Sequence, residues 1–287
     1  MRHLLSLLAA AAAVALLSAP AAVEAKSPTL ERIKSTKTFT IGYRKDAVPF
    51  SFELDGKIVG YSIDLCQRIA AGLQQQLKLD KLEVKFVPVT VQNRLDMVAS
   101  GKVDIECGST TASLSRMEQV DFSLMTFVDG SGLLVKFDGG VVKITDLTDK
   151  KVAVIPGTTT ERVLKDTLQR AFIKAEIVPV KEHLDGLKAV ESGAAAAYAS
   201  DRGLLAGLII QSKNPQGLAM TEDVLSFEPY AFGVLRNDAD FRLAVNRVLA
   251  NLYRTGEVGG AYKRWFGPLG DPSPGLLFMY RLQGLPE

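Results

Sequence analysis

Cys107-Gly108-Ser109-Thr110-Thr111, followed five residues later by Arg116, has the residue types needed to hold a carboxylate. Glycine lets a backbone approach an anion closely. Hydroxyls and unpaired amides at a helix start point toward it, and arginine adds a planar, two-pronged charge. Residues 103–106 read as a short strand leading in, and the residues after Thr111 read as the first turn of a helix. Ser109 and Thr111 would also serve as plain helix caps, which use the same exposed amides. Arg116 taken alone is an exposed helix arginine. Asp201 follows an apolar strand pattern and precedes a helical one, so it is either a cap or an anion offered to a cationic group.

The elements that would position these residues alternate between strand and helix. Residues 39–43 and 57–59 predict strands joined through the turn-prone Asp55-Gly56. Leu65, Ile69 and Leu73 share one face of a helix expected over 62–77. A strand is expected at 82–89, a short helix at 92–100 closed by Gly101, and a strand at 103–107. The pattern restarts after Asp149. A strand at 151–155 enters the turn Pro156-Gly157-Thr158-Thr159-Thr160 and a helix, then come a strand at 176–180, a helix at 184–191 ended by Ser192-Gly193, and a strand at 195–199. Extended segments at 126–137 and 227–236 bracket this second set, and an amphipathic helix at 241–255 with residues 262–266 is free to return to the first. The expectation is an α/β protein of two lobes with two crossing strands. Residues 26–131 and 228–287 form a discontinuous first lobe, and 132–227 form the second.

Residues 1–25 read as a secretory leader: Arg2 and His3, an apolar run from 4 to 17, and the small-residue pattern Val23-Glu24-Ala25. The mature chain would begin near Lys26, and export of a soluble protein is expected because no later stretch approaches ~20 consecutive apolar residues. The leader carries one charge of each sign, so the net charge stays at +2, too small a field for nucleic acid or a membrane surface. Cys66 and Cys107 are the only cysteines. An oxidising compartment permits a bridge between them, while two buried free thiols remain equally open, since Cys66 lies within an apolar helical pattern. Two histidines and no Cys/His cluster give no reason to expect a metal or a cofactor.

Several segments in chain order carry a resemblance. They are Gly42-Tyr43-Arg44, Val48-Pro49-Phe50-Ser51-Phe52, Gly60-Tyr61-Ser62-Ile63-Asp64-Leu65, Gln92-Asn93-Arg94, the Glu106-to-Thr111 stretch with Arg116, and Val120-Asp121-Phe122-Ser123. Pro156-Gly157-Thr158-Thr159 and Leu204-Leu205-Ala206-Gly207 after Asp201 extend it. Together they resemble the family 3 extracytoplasmic solute-binding proteins of ABC transporters, closest to the glutamate/aspartate-binding branch. The resemblance implies a periplasmic-binding-protein-like fold, an amino acid held in the cleft between lobes, hinge closure, and delivery to a membrane permease by a monomeric periplasmic protein.

It also implies residue roles. Arg116 with Ser109 and Thr111 would hold the α-carboxylate, Asp201 the ammonium group, and Arg44, Arg94 and His183 the side-chain carboxylate. Thr159, helped by the Thr158 backbone, would donate from the opposite lobe. Tyr43, Phe50 and Phe52 would pack on the ligand's aliphatic part, with core packing an equal alternative for Phe52. Arg202, where a second acidic residue is expected, and Val91, where relatives often carry serine, depart from the pattern. The competing readings are a binding protein for another polar amino acid, a dehydratase-like enzyme on the same scaffold, and a separate sensory partner. No Ser/His/Asp arrangement or paired carboxylates support the enzyme.

Overall fold

The computed structural model describes residues 27–286, so the leader expected at 1–25 lies outside them. Ser27 caps α1 (Pro28–Thr36) by accepting from the Leu30 amide, with proline at the first helical position where its missing N–H costs nothing. Then follow β1 (Thr38–Tyr43), β2 (Asp46–Ala47), β3 (Ser51–Leu54), β4 (Lys57–Val59), α2 (Tyr61–Gln76), β5 (Glu83–Pro88), α3 (Arg94–Ala99), β6 (Ile105–Glu106) and α4 (Leu114–Met117). The long β7 (Asp121–Lys136) leads to β8 (Lys151–Val154), α5 (Thr159–Arg170), β9 (Glu176–Pro179), α6 (His183–Ser192), β10 (Ala197–Asp201), α7 (Arg202–Gln211) and β11 (Leu218–Met220). The chain returns through β12 (Ser226–Val234) to α8 (Ala239–Thr255), α9 (Val258–Phe266) and α10 (Pro274–Gln283).

The main sheet runs β5-β1-β6-β12-β7-β10-β8-β9, with β11 on β7. Its two ends are parallel: β1 lies between β5 and β6, and β8 between β10 and β9. Antiparallel β7 and β12 join them, in a register from Ser226 opposite Ser131 to Val234 opposite Asp121. These are the two crossing strands, and they make the molecule two-lobed. In the second lobe the strand period of two sorts the core. Val152 and Val154 pack with Leu164 and Leu168 on one face, while Ala153 and Ile155 meet Leu187, Leu205 and Leu208 on the other. In the first lobe Ile41, Leu65, Ile69, Leu73, Phe241 and Leu249 share one cluster.

Phe50 is fully buried, with ring edges against Tyr61, Phe127, Tyr230 and Phe266, and so belongs to the core. The lobes touch through α7. A Cβ on Gly207 would lie 2.2 Å from the Val48 carbonyl oxygen, and one on Gly203 would lie 3.1 Å from the Phe50 ring. Four residues apart, these glycines form one helix face that a side chain would hold away from the first lobe.

The sequence pattern misses four features: α1, the small sheet β2-β3-β4 except for its last strand, β11, and α10. The last helix anchors itself by contacts far along the chain. The Tyr280 hydroxyl lies 2.6 Å from that of Tyr61, and Gln283 accepts from the Met125 amide of β7. Leu277, Phe278 and Leu282 of α10 face outward, which blurs the periodicity.

Cys66 on α2 and Cys107 after β6 form a disulfide, with Cα atoms 6.4 Å apart, which settles the alternative left open above. It closes a loop with a sequence separation of 41 residues. By the loop-entropy relation its loss should cost about 4 kcal/mol. The double substitution Cys66→Ser/Cys107→Ser should lower the denaturant midpoint accordingly, and the parent under reducing conditions should follow it. An unchanged midpoint would show that the bridge carries no stability.

Candidate functional site

The loop after β6 is not a helix start. Thr111 bridges to Tyr230 of β12, the Ala112 amide donates to the Pro229 carbonyl at 2.8 Å, and the Ala231 amide donates to Thr110 at 3.1 Å. Pairing with a crossing strand keeps this backbone extended. The helix therefore begins only at Leu114 and is capped by Ser113, so the reading of Ser109 and Thr111 as caps is corrected. Arg116 on this four-residue helix turns back and donates from Nη1 to the Thr111 carbonyl at 2.8 Å. Burial pulls its pKa down, against the opposing pull of Glu228, Asp201 and Glu106.

Glu228 of β12, missed in the sequence, is buried at the junction of the lobes. Its Oε2 accepts from the Thr111 hydroxyl of the first lobe and, at 2.7 Å, from the Thr159 hydroxyl of the second, while Oε1 accepts from Ser226. The usable signal was an acidic residue inside an otherwise apolar crossing segment. Asp201 ends β10 and precedes α7 but makes no side-chain cap. It accepts from Thr160 at 2.7 Å and from the Tyr230 hydroxyl. Burial, reinforced by the nearby charges of Glu228 and Asp129, pushes its pKa up to about 7. Arg202 points away from this group and donates to the Thr221 carbonyl at 2.7 Å.

The cationic residues differ sharply in their partners. Arg44 pairs with Asp46 at 2.9 Å, both side chains being buried. Arg94 is 4% exposed, and its guanidinium makes no hydrogen bond or ion pair with any described residue. Burial and then the nearby Arg116 charge lower its pKa to about 9, so it remains cationic at neutral pH. Glu106 sits near this cluster; its Oε2 accepts from Thr110, and its other oxygen has no partner among the described residues. His183 opens α6 with its ring Nδ1 2.8 Å from the Tyr198 hydroxyl. Its burial depresses the pKa to about 4, so the ring is neutral.

Arg44, Arg94, Ser109, Thr111, Thr159, His183 and Asp201 line one cavity between the lobes, with Val91 in its wall. Seven of the eight site residues expected from sequence are therefore brought together there. Arg116 is not in the lining and reaches the site's edge at the Thr111 carbonyl. Tyr43, Phe50 and Phe52 are also outside it: Tyr43 packs on Phe86 and Phe52 on Trp265. The cavity's interior is about 20 Å³, room for a water but not for an amino acid. Any ligand must enter by separating the lobes. Among the described residues no His, Cys, Asp and Glu cluster has metal-binding geometry.

The Asp201 environment has a stability consequence. Its folded pKa near 7 exceeds the ordinary carboxylate value, so the folded protein holds an extra proton between roughly pH 4 and 7. Asp201's contribution to stability is present below that window and lost as pH rises through it. Asp201→Asn should therefore raise the ligand-free melting temperature at pH 8, by up to about 4 kcal/mol in stability, with the gain shrinking toward pH 4. A pH-independent difference between variant and parent would contradict this.

Residues 39–268 match the bacterial extracellular solute-binding proteins, family 3. The L-glutamate/L-aspartate-binding protein of Pseudomonas aeruginosa is 38% identical over 268 residues, spanning 93% of this chain and 89% of the relative. The glutamate/aspartate import solute-binding protein of Escherichia coli strain K12 is 33% identical over 262 residues, spanning 91% and 87%. Among solved structures, the P235GK mutant of ArgBP from T. maritima is similar at a TM-score of 0.74 and 26% identity, covering 83% of this chain and 99% of that one. The ancestral amino acid-binding protein AncCDT-1, a precursor of cyclohexadienyl dehydratase, is similar at 0.72 and 29%, covering 83% and 99%. With the family match spanning most of the chain and the two-lobed architecture shared, this protein belongs to the bacterial extracellular solute-binding proteins of family 3.

Proposed function

We propose that the protein binds L-glutamate or L-aspartate between its lobes in the periplasm and delivers it, as a monomer, to the permease of an ABC transporter. The observation that carries this reading is Arg94, a buried guanidinium in no hydrogen bond or ion pair with a described residue, whose burial outweighs the pull of the nearby Glu106 and Asp201 charges. A charge in that position is costly unless something neutralises it, and a ligand carboxylate would do so. The two relatives named for glutamate and aspartate support the ligand class.

The lobes are taken as 26–131 with 228–287, and 132–227, moving about β7 and β12. Ser109, Thr111 and Arg116 are assigned to the α-carboxylate, with Thr159 donating from the second lobe. Asp201 is assigned to the ammonium group, and Arg94, Arg44 and His183 to the distal carboxylate. On this reading Glu228 yields the Thr111 and Thr159 hydroxyls to the incoming α-carboxylate. The ligand then restores the bridge between lobes that Glu228 makes without it. Export through a leader at 1–25 places the protein where its permease is.

A melting screen against the common amino acids tests the reading. A ligand at 100 times its Kd should add about 2.7 kcal/mol to apparent stability. Glutamate or aspartate should give the largest shift and be recovered unchanged; if neither shifts the transition, the assignment falls. Arg94→Met should weaken both acids at least 100-fold while leaving the ligand-free protein more stable, by about 1 to 3 kcal/mol, because a buried charge only partly offset by Glu106 and Asp201 has gone. Gly207→Ala should obstruct closure through the contact with Val48. Small-angle scattering should then show a larger radius in saturating ligand than the parent has, and affinity for every ligand should drop together.

A further inference from the structure

The two arginines assigned to the distal carboxylate are not equivalent, because one of them already has an anion. Asp46 lies on β2, two residues from Arg44, and its Oδ1 is 2.9 Å from Arg44 Nη2 with both side chains under a tenth exposed. The arrangement is fixed on three sides. The Arg44 amide donates to Ser51 Oγ at 2.9 Å, and Ser51 donates back to the Arg44 carbonyl. Asp46 pairs in register with Phe52 of β3. Across the cleft, Asp46 Oδ2 accepts from the backbone amide of His183, the first residue of α6, at 2.8 Å. Arg44 lines both the inner cavity and a larger cleft of about 750 Å³ that Asp46 also lines, so this pair stands at the entrance to the site.

We propose that Asp46 is a selectivity-determining residue that neutralises Arg44 and leaves Arg94 as the single guanidinium reading the ligand's distal group. The inference rests on the acidic amino acid reading above and refines it. A site with two free guanidinium groups would reject a distal amide strongly, since the amide would leave two buried cations unpaired. With Arg44 already matched by Asp46, an amide leaves only Arg94 without its counter-charge. An acid must also approach the Asp46 carboxylate. Both effects narrow the gap between glutamate and glutamine, and between aspartate and asparagine. The site is thereby tuned to acidic amino acids with their amides tolerated.

Titration of both acids and both amides into the parent and into Asp46→Asn tests this. The asparagine oxygen can still accept from the His183 amide, so the contact across the cleft survives. Any change in closure affects acid and amide alike and cancels in the ratio of their Kd values. Removing the charge frees Arg44 and should raise the preference for acid over amide at least tenfold. In Asp46→Asn/Arg44→Met the gain should vanish, because it acts through Arg44. Asp46→Ser serves the same purpose if the asparagine variant does not fold. An unchanged or reduced ratio in a folded variant that still binds glutamate overturns the proposal alone. A parent that binds neither acid overturns the acidic amino acid reading, and this refinement with it.

Discussion

The rest of this protein is arranged around charge held out of water between two lobes. Arg94, Glu106, Asp201 and Glu228 are all buried within one small region, and Arg44 with Asp46 closes one side of it. Burial raises the cost of every unmatched charge, so each must be paired, hydrogen-bonded or shifted in pKa. Asp201 shifts upward, His183 shifts downward, Glu228 is satisfied by hydroxyls from both lobes, and the Arg94 guanidinium stays cationic with no hydrogen bond or ion pair to a described residue. A site in this condition is poorly suited to stability and well suited to a small ion that carries both signs of charge.

The crossing strands make that arrangement possible. Because β7 and β12 belong to both halves of the sheet, a residue on them can reach either lobe, and Glu228 does so through Thr111 and Thr159. The same pairing straightens the loop after β6, which places Thr111 in the cavity lining when it would otherwise cap a helix. Asp129, also on β7, accepts from the Gly203 amide at the start of α7 and ties the second lobe to the strand about which it would turn. The glycine face of α7 lets the lobes meet at backbone distance. Closure is therefore written into contacts that work in either lobe only when the other is near.

Much of the site was legible. The hydroxyl-rich loop, Thr159 at its helix start, Asp201 after its strand and the arginines at 44 and 94 all reach the same cavity, as the order of motifs implies. Three things were not legible, because each depends on the course of the folded backbone and not on a local pattern. The partner of Arg44 is two residues away, in a stretch to which the sequence pattern assigns no element. Glu228 lies 117 residues from Thr111. Arg116 spends its hydrogen bond on a backbone carbonyl that only the folded loop presents.

What the sequence determined by itself was local and periodic. Strand alternation, the apolar faces of helices, the position of glycines and the order of strands and helices follow from geometry repeated along the chain. These gave the α/β class and the crossing segments. The tertiary structure alone decided which of two chemically possible states each charged or reactive group adopts. Cys66 and Cys107 were bridged or free, Asp201 was a cap or a buried acid, and Arg44 was available or already matched. The bridge and the buried acid depend on distances of a few ångströms between residues far apart in sequence, and the Arg44–Asp46 pair on a backbone course that brings two near neighbours' side chains together. Electrostatic and covalent partners are chosen through space, and no period in the chain records them.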